Sequence, residues 1–222
     1  AADNTESSVR IVVSAGVGAI DYRVGSTAEP TVAIVVRPLP EFPKSLYQEG
    51  AVASFVSNKR ASPGNLNPKI KSSNLLNNLM ALRAAHARNA YEALMLNAKE
   101  EVCEGSMTNV FTVEKAIIRT PPLSAGILEG ITRELVIEIA RMYGYELIEE
   151  TILPRELLAS DEVFITASSR EIVPIVQVDD DTIANGLPGP ITRKLMSFYK
   201  QEVDKIIQNT ESNFLKIQKE KL

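Results

Sequence analysis

Histidine and cysteine are almost absent from this sequence, which has one histidine, His86, and one cysteine, Cys103, among 222 residues. One residue of each type cannot build a multi-histidine or cysteine-rich metal site, a disulfide framework or a histidine-based catalytic triad. We therefore interpret both residues as structural and expect no bound metal. The lack of a second cysteine also favours a reducing compartment.

Long apolar runs and an excess of basic residues are missing as well. No stretch approaches the roughly 20 apolar residues that span a bilayer, and no basic-then-apolar leader opens the chain. A net charge of -4 argues against a general nucleic-acid binder. With 45% hydrophobic and 23% charged residues, the chain has the composition of a globular protein with a sizeable core. We expect a cytoplasmic protein that binds neither membrane nor nucleic acid.

Strand and helix patterns follow one another along the chain and predict a mixed α and β fold. Apolar runs bounded by turn residues predict strands at residues 10–14, 30–37, 51–57, 93–96, 110–113, 116–118, 162–166 and 173–178. Apolar residues at three- and four-residue steps, or an initial proline, predict helices at residues 73–89, 130–143, 154–159 and 190–205. In the first helix, the expected apolar face comprises Leu75, Leu76, Leu79, Leu82 and Ala85.

A segment rich in Ser, Pro, Gly and Asn, residues 59–68, predicts a linker with a domain boundary near residue 63. We expect residues 1–62 to be the remainder of a small N-terminal domain and residues 63–204 to form a larger C-terminal domain. Residues 205–222 are then a charged tail with a further, loosely held helix. Because the chain starts at Ala1 without an initiator methionine, we also expect a front segment to be missing.

Acid–base chemistry in this chain must fall to lysine or to a carboxylate, because histidine is so scarce. Lys71 lies in a partly apolar run just before the first predicted helix. Taken alone, a lysine at such a position is more often a solvated charge. Glu104 precedes a predicted strand and is followed by small residues, a pattern that an ordinary turn also explains.

Two further segments could bind an anion. Gly130 stands at the mouth of a predicted helix, so the first free N–H groups, those of Ile131 and Thr132, would carry the positive end of the helix dipole. Ser168 and Ser169 follow the strand at residues 162–166 with hydroxyls suited to a phosphate cup. Each segment alone is equally compatible with a plain helix cap or a polar turn.

Together these segments resemble the signature of the fold-type IV pyridoxal-phosphate enzymes, also called class IV aminotransferases. The resemblance covers residues 10–199 and implies an α+β, two-domain architecture. In that architecture, an incomplete N-terminal α/β domain would accompany a larger C-terminal domain with a β-barrel-like core and flanking helices. The signature is matched at all of its elements, which here are Glu104, Ser106, Asn109, Val110, Phe111, Ile118, Thr120, Leu128, Gly130, Ile131 and Arg133.

The resemblance assigns roles to individual residues. Lys71 corresponds to the lysine that forms a Schiff base with pyridoxal 5'-phosphate and later moves the substrate's proton. Glu104 corresponds to the carboxylate that keeps the pyridine nitrogen protonated, so that the ring can act as an electron sink. The other implied contacts are Arg60 near the phenolic oxygen, Leu128 against the ring, and a phosphate cup of Gly130, Ile131, Thr132, Ser168 and Ser169.

Three departures from the family pattern concern the phosphate and the substrate. No arginine that could grip the phosphate precedes residue 10, and Ala15-Gly16 stands where many members have Arg-Gly. No Arg-x-His carboxylate trap of the D-amino acid type is found near residues 16–22. After the lysine, residues 72–75 read Ser-Ser-Asn-Leu, which is closer to the D-amino acid subgroup than the Gly-Gly-Asn-Tyr of the branched-chain subgroup.

The resemblance therefore implies a homodimeric aminotransferase that acts on an aliphatic, branched-chain amino acid with a 2-oxo acid such as 2-oxoglutarate. Within the family, transamination of D-amino acids and lyase action on aminodeoxychorismate remain alternatives. Outside it, the chain could be a truncated, non-catalytic remnant, or a sugar- or nucleotide-phosphate binder that uses only the Gly130 helix mouth.

Overall fold

The computed structural model describes residue 4 and residues 6–18, 29–60 and 67–220, with backbone alone at residues 211–220. Two compact units follow one another, Ala1–Phe42 and Pro43–Leu222. In the first unit, β1 (Ser7–Ser14) pairs antiparallel with β2 (Thr31–Pro38) along its whole length. Val9, Ile11 and Val13 of β1 each expose more than half of their surface.

The second unit contains the remaining strands and helices. In chain order they are α1 (Ser45–Gln48), β3 (Ala51–Phe55), α2 (Leu76–His86), β4 (Glu92–Leu96), β5 (Val102–Gly105), β6 (Asn109–Glu114), β7 (Ile117–Thr120), a 3-10 turn (Leu123–Ala125), α3 (Ile131–Met142), β8 (Leu147–Glu149), α4 (Pro154–Leu158), β9 (Glu162–Ala167), β10 (Glu171–Val178), β11 (Asp181–Thr182) and α5 (Pro190–Glu220).

Six of these strands close into a barrel in the order β3, β4, β5, β6, β9 and β10, with β10 pairing back onto β3. The pairs β3–β4 and β3–β10 are parallel and the other four are antiparallel. β7 and β8 extend the sheet beside β6, and β11 pairs with β10. This barrel with its surrounding helices confirms the predicted α+β class and barrel-like core.

The main hydrophobic cluster lies where α3 and α5 pack on the barrel. Phe111 of β6 and Phe164 of β9 are fully buried and stack with ring centroids 4.8 Å apart. Val136 and Ile139 of α3 and Leu195 of α5 join the same cluster. Because α3 is anchored by this apolar face, its N-terminus is held at a fixed place on the barrel.

Helix α2 does not bury the face that its leucines predict. Leu76 and Leu79 are 66% and 47% exposed, whereas the small side chains Ala81 and Ala85 are fully buried. The alanines pack in a cluster with Met95 of β4, where close approach of helix and strand leaves no room for leucine. The periodicity therefore predicted the helix correctly, but of the five residues of its expected apolar face only Ala85 is fully buried.

Three expectations about elements also need correction. The sequence patterns did not predict strands β5 and β8. In β5 this is because Glu104 and Gly105 are residue types that are depleted in strands. The tail does not form a separate helix, because α5 continues without a break from Pro190 to Glu220. His86, expected in mid-helix, is the last residue of α2 and is exposed.

Some expectations fall outside the described residues. The predicted boundary near residue 63 lies among residues 61–66, and most of the 16–22 segment lies among residues 19–28, so both stay predictions. Within the described part of the chain, no helix combines the length and apolar character needed to cross a membrane.

Candidate active site

A cavity of about 790 Å³ opens in the second unit, within the volume range typical of small-molecule and cofactor sites. Its walls come from the segment before α2, the β5–β6 turn, the loop that leads into α3, and the end of β9. All nine residues singled out from the sequence line it, namely Arg60, Lys71, Glu104, Leu128, Gly130, Ile131, Thr132, Ser168 and Ser169.

Glu104 is the most firmly held side chain of this cavity. It lies on β5 and is only 4% exposed. Its Oε1 is 2.7 Å from Arg60 Nε, and its Oε2 accepts hydrogen bonds from the Leu128 backbone N–H at 2.9 Å and from Asn109 Nδ2 at 3.2 Å. Contacts on both oxygens fix the carboxylate plane, so Glu104 is preorganised to face a ligand.

Burial raises the pKa of Glu104 from 4.5 to about 7, since the charged form loses its water. Arg60, the Leu128 N–H, Lys71 and Arg133 each lower this pKa and offset part of the rise. A carboxyl group that titrates near neutral pH can share a proton with a basic ring nitrogen. The cavity therefore holds a group suited to proton exchange at neutral pH.

Gly130 is required by close packing rather than by an unusual backbone conformation. Its φ is -79°, which any residue can adopt, but a Cβ there would lie 2.1 Å from Asn109 Oδ1. The same Asn109 amide donates to Glu104 and, at 2.9 Å, to the Leu128 carbonyl. The helix mouth and the carboxylate are thus coupled through one asparagine.

The N-terminus of α3 opens into the cavity without a side-chain cap. Gly130 is the N-cap residue, and no side-chain hydrogen bond caps the helix there. Ile131 and Thr132, the first two helical residues, both line the cavity. Uncapped N–H groups at the positive end of a 12-residue helix are a suitable binding site for a phosphate group.

Lys71 and Arg60 enter the cavity from the chain ahead of α2. The Lys71 side chain is exposed, in a segment without regular structure. Lys71 nevertheless lowers the pKa of Glu104 electrostatically, so the two charges interact. Arg60 donates from Nε to the Gly126 carbonyl at 3.2 Å as well as pairing with Glu104.

The cavity wall at the end of β9 carries three hydroxyls, those of Thr166, Ser168 and Ser169. Thr166 is 2% exposed, and within the described part of the chain its Oγ1 has no hydrogen-bond partner. Buried hydroxyls without a partner are uncommon in proteins. An unsatisfied group at this wall is consistent with a polar ligand that completes the site.

The cavity combines basic and apolar groups. Among its described lining residues, four are basic, Lys59, Arg60, Lys69 and Lys71, and two are carboxylates, Glu104 and Glu129. Apolar surface comes from Ile70, Leu75, Met107, Leu128 and Ile131. Such a lining suits an anionic ligand that also carries an aliphatic part.

Two supporting residues were missed in the sequence. Asn78 of α2 donates to the Ser106 carbonyl at 2.6 Å, and Glu92 of β4 accepts hydrogen bonds from Ser106 and Thr108. Both contacts act on the β5–β6 turn beside Glu104. They join residues far apart in the sequence, and the patterns used for prediction hold no signal for them.

Cys103 has the structural role that the sequence suggested. It is fully buried, and its Sγ donates to the Ala125 carbonyl at 3.0 Å. Burial raises the pKa of the Cys103 thiol to about 12, so the reactive thiolate is strongly disfavoured.

Comparison with known proteins gives consistent relatives. Residues 1–178 match the family model for amino-transferase class IV. A Methanocaldococcus jannaschii protein that carries the name branched-chain-amino-acid aminotransferase is 37% identical over 192 residues, covering 86% of this chain and 66% of its own. A D-alanine aminotransferase of Bacillus licheniformis is 32% identical over 182 residues, covering 82% of this chain and 62% of its own.

Solved structures agree in fold. A branched-chain aminotransferase from Thermoproteus uzoniensis, determined with norvaline, superposes with a TM-score of 0.80 at 38% identity, covering 88% of this chain and 64% of its own. A T.th. branched-chain amino acid aminotransferase, complexed with N-(5'-phosphopyridoxyl)-L-glutamate, gives a TM-score of 0.81 at 28% identity, covering 88% and 63%. The chain thus spans between 62% and 66% of the length of these four relatives.

Proposed function

Because the chain belongs to the class IV aminotransferase family, we propose that it is a pyridoxal-phosphate-dependent aminotransferase. We propose that it moves the amino group of an aliphatic, branched-chain amino acid to a 2-oxo acid such as 2-oxoglutarate. The observation that carries the proposal is the convergence on one cavity of an amine, a buried carboxylate and an uncapped helix N-terminus.

The groups in the cavity fit this cofactor chemically. The N–H groups of Ile131 and Thr132 with the Ser168 and Ser169 hydroxyls suit a phosphate, and Glu104 suits a basic ring nitrogen. The buried Thr166 hydroxyl, which has no partner among the described residues, also favours a polar ligand at this wall. When bound, pyridoxal phosphate supplies an aldehyde carbon that accepts the amino group and a ring that takes up the electron pair released at the substrate's Cα.

Lys71 is the residue that we propose links the cofactor covalently through Nζ. With substrate in place, a free Lys71 Nζ would take the proton from the substrate's Cα and deliver it to the cofactor's C4′, the former aldehyde carbon. One lysine thus serves as both attachment point and proton carrier, so the reaction needs neither histidine nor metal from the protein. Its exposure within the cavity leaves Nζ accessible to an incoming ligand.

Glu104 is proposed to hold a proton at the ring nitrogen. Burial raises its pKa to about 7, and Arg60 together with the Leu128 N–H limits that rise. A proton shared between Glu104 and the ring nitrogen would keep the ring electron-poor while Lys71 moves the proton of the substrate's Cα. We propose that Arg60 is oriented by Glu104 and Gly126 toward the phenolic oxygen, and that Leu128 packs against the ring.

The lining of the cavity supports an aliphatic amino acid as substrate. Met107 and Ile131 offer apolar contact. Lys59 pairs with Glu100 at 2.5 Å and Lys69 with Glu129 at 3.1 Å, so neither is a free charge for the substrate carboxylate. Three of the four relatives carry branched-chain names, but the D-alanine aminotransferase of Bacillus licheniformis makes D-amino acids a second candidate. We propose the branched-chain substrate first, since no Arg-x-His trap is seen in the sequence.

The test supplies L-leucine, D-alanine and aminodeoxychorismate in parallel, with 2-oxoglutarate as acceptor for the two amino acids. Formation of glutamate with L-leucine as amino donor supports the proposal. Preference for D-alanine would instead indicate a D-amino acid aminotransferase, and preference for aminodeoxychorismate would indicate a lyase. Lys71→Ala is expected to abolish turnover. Turnover that survives Lys71→Ala would refute the mechanism.

Two rival functions predict different binding. A non-catalytic remnant would show no cofactor absorption band after incubation with pyridoxal phosphate and removal of unbound cofactor by gel filtration. A plain phosphate binder at the Gly130 helix mouth would take up inorganic phosphate equally well in wild type and Lys71→Ala. The proposed enzyme instead keeps a protein-bound band after gel filtration, borohydride reduction fixes the cofactor covalently to the wild-type chain, and no cofactor is fixed at position 71 in Lys71→Ala.

We further propose a cytoplasmic homodimer. Leu76, Leu79 and Met80 of α2 expose 66%, 47% and 52% of their surfaces, and exposed apolar patches of this kind mark contacts with another protein surface. Size-exclusion chromatography with light scattering is expected to give twice the chain mass, and a monomer at micromolar concentration would refute the dimer. The cytoplasmic location stays a prediction from the single cysteine.

A further inference from the structure

Glu92 is a fully buried carboxylate that faces the cavity wall from behind. It is the first residue of β4 and has 0% exposure. Its Oε1 accepts hydrogen bonds from the backbone N–H groups of Ala93 at 2.9 Å and Ser106 at 3.0 Å, and from the Ser106 hydroxyl. Its Oε2 accepts from Thr108 Oγ1 and from Arg170 Nη1, both at 3.3 Å.

These donors belong to two different turns of the cavity wall. Ser106 and Thr108 lie in the β5–β6 turn, which follows Glu104, and Arg170 ends the turn that carries Ser168 and Ser169. The two turns are more than 50 residues apart in sequence and meet at one carboxylate. Glu92 therefore connects the β5–β6 turn, which follows Glu104, to the turn that carries Ser168 and Ser169.

Both turns are packed closely against this carboxylate. A Cβ at Gly105 would lie 2.0 Å from Thr108 Oγ1 and 3.1 Å from Glu92 Cγ, so the β5–β6 turn has no room to shift toward β4. Arg170 is held on its other side by Tyr91, with its guanidinium carbon 5.3 Å from the ring centroid. The Arg170 side chain is only 21% exposed, so its ion pair with Glu92 is shielded from water.

We propose that Glu92 is a positioning residue that, through Arg170, holds Ser168 and Ser169 in place for the phosphate group of the cofactor. This inference rests on the proposed function, because the phosphate is that of pyridoxal phosphate. Glu92 does not line the cavity, and Arg170 does not either, so both act through the residues that they hold. The role predicts an effect on the phosphate and little effect on the rest of the cofactor.

The test compares the dissociation constants of pyridoxal phosphate and of pyridoxal, which lacks the phosphate, for Glu92→Gln and Arg170→Met. Each variant is expected to bind pyridoxal phosphate about tenfold more weakly than wild type, while pyridoxal binding changes less than about threefold. The double variant is expected to be no weaker than either single variant, because both break the same connection. If Glu92→Gln folds poorly, the two dissociation constants of Arg170→Met still test the proposal.

Glu162→Gln is the matched control. Glu162 is also a buried strand carboxylate, at 6% exposure, and accepts hydrogen bonds from the Ile191 N–H and from the N–H and hydroxyl of Thr192 at the start of α5. It lies outside the cavity lining. We expect this variant to lower the melting temperature and to leave the affinity for pyridoxal phosphate unchanged.

Three results would overturn the inference: unchanged affinity for pyridoxal phosphate in both test variants, equal loss for pyridoxal phosphate and pyridoxal, or an equal loss in Glu162→Gln. These outcomes leave the proposed function intact as long as wild type binds pyridoxal phosphate and borohydride reduction fixes the cofactor covalently to the wild-type chain. A wild type that binds no pyridoxal phosphate would overturn both.

Discussion

Replacement of Glu104 by glutamine should remove a pH-dependent part of the folding stability. Glu104 is 4% exposed, and burial raises its pKa from 4.5 to about 7 in the folded chain. Between these two values the folded chain keeps a proton that the unfolded chain has released. Stability must therefore fall as the pH rises through this window, because the unfolded state binds fewer protons.

The size of the effect follows from the two pKa values. One unit corresponds to about 1.4 kcal/mol, so the full difference is roughly 3 kcal/mol, and most of it falls between about pH 5 and pH 8. Glutamine carries no charge in either state and lacks this dependence. The free energy of unfolding of wild type minus that of Glu104→Gln should thus decrease by roughly 2–3 kcal/mol across that range.

Urea unfolding of the cofactor-free protein, followed by circular dichroism at several pH values, measures this difference. Other titrating groups cancel because both proteins contain them. A difference that stays constant with pH would show that the Glu104 pKa is not displaced. A difference that increases with pH would show that the ion pair with Arg60 dominates over burial, which would refute the reasoning.

Three further predictions concern single residues. Arg60→Met removes a charge that lowers the pKa of Glu104, so the fall in stability in the same urea series should move to higher pH; an unmoved midpoint would contradict this. Gly130→Ala should lower stability by about 1–3 kcal/mol and weaken pyridoxal phosphate binding, because its Cβ has no room. The control Gly144→Ala, at φ +79° but with open space for a Cβ, should lower stability by about 1 kcal/mol and leave pyridoxal phosphate binding unchanged. Equal binding of pyridoxal phosphate by the two variants would refute the coupling of the helix mouth to Glu104 through Asn109. Cys103, with its pKa raised to about 12, should react with iodoacetamide only after unfolding, and mass spectrometry showing labelling of the native protein at about pH 8 would contradict its burial.

The elements that the sequence predicted well are those whose apolar pattern agrees with their final packing. In helix α3 the spacing predicts an apolar face of Leu135, Val136, Ile139 and Ala140; the last three are buried and Leu135 is partly buried. Strands β9 and β10 are runs of apolar residues between turns and were recognised for the same reason. Local pattern and tertiary structure agree in these segments.

The predictions from sequence were wrong or incomplete where tertiary contacts determine the structure. The buried face of α2 is set by the close approach of Ala81 and Ala85 to β4, so the more hydrophobic leucines are left outside. Strand β5 is held by pairing with β4 and β6 despite its Glu104 and Gly105. Such contacts depend on neighbours that are distant in sequence.

The candidate site shows the same division. Glu104 and Gly130 could be expected at the cavity because they fall in a short motif with fixed spacing, and Lys71 could be expected there from the family resemblance. The contacts of Glu92 could not, because its partners Ser106 and Arg170 lie 14 and 78 residues away. The motifs mark the groups that face the cavity, whereas the residues that hold these groups are recognisable only from the structure.

The central claim is that the Lys71 amine carries the cofactor, and peptide mapping after borohydride reduction tests it most directly. Protein incubated with pyridoxal phosphate, reduced, digested and analysed by mass spectrometry should carry one pyridoxyl group, on the peptide that contains Lys71. Lys69→Ala, which removes a neighbouring lysine of the same cavity, should retain this label. A label on another lysine, or none on wild type, would contradict the account.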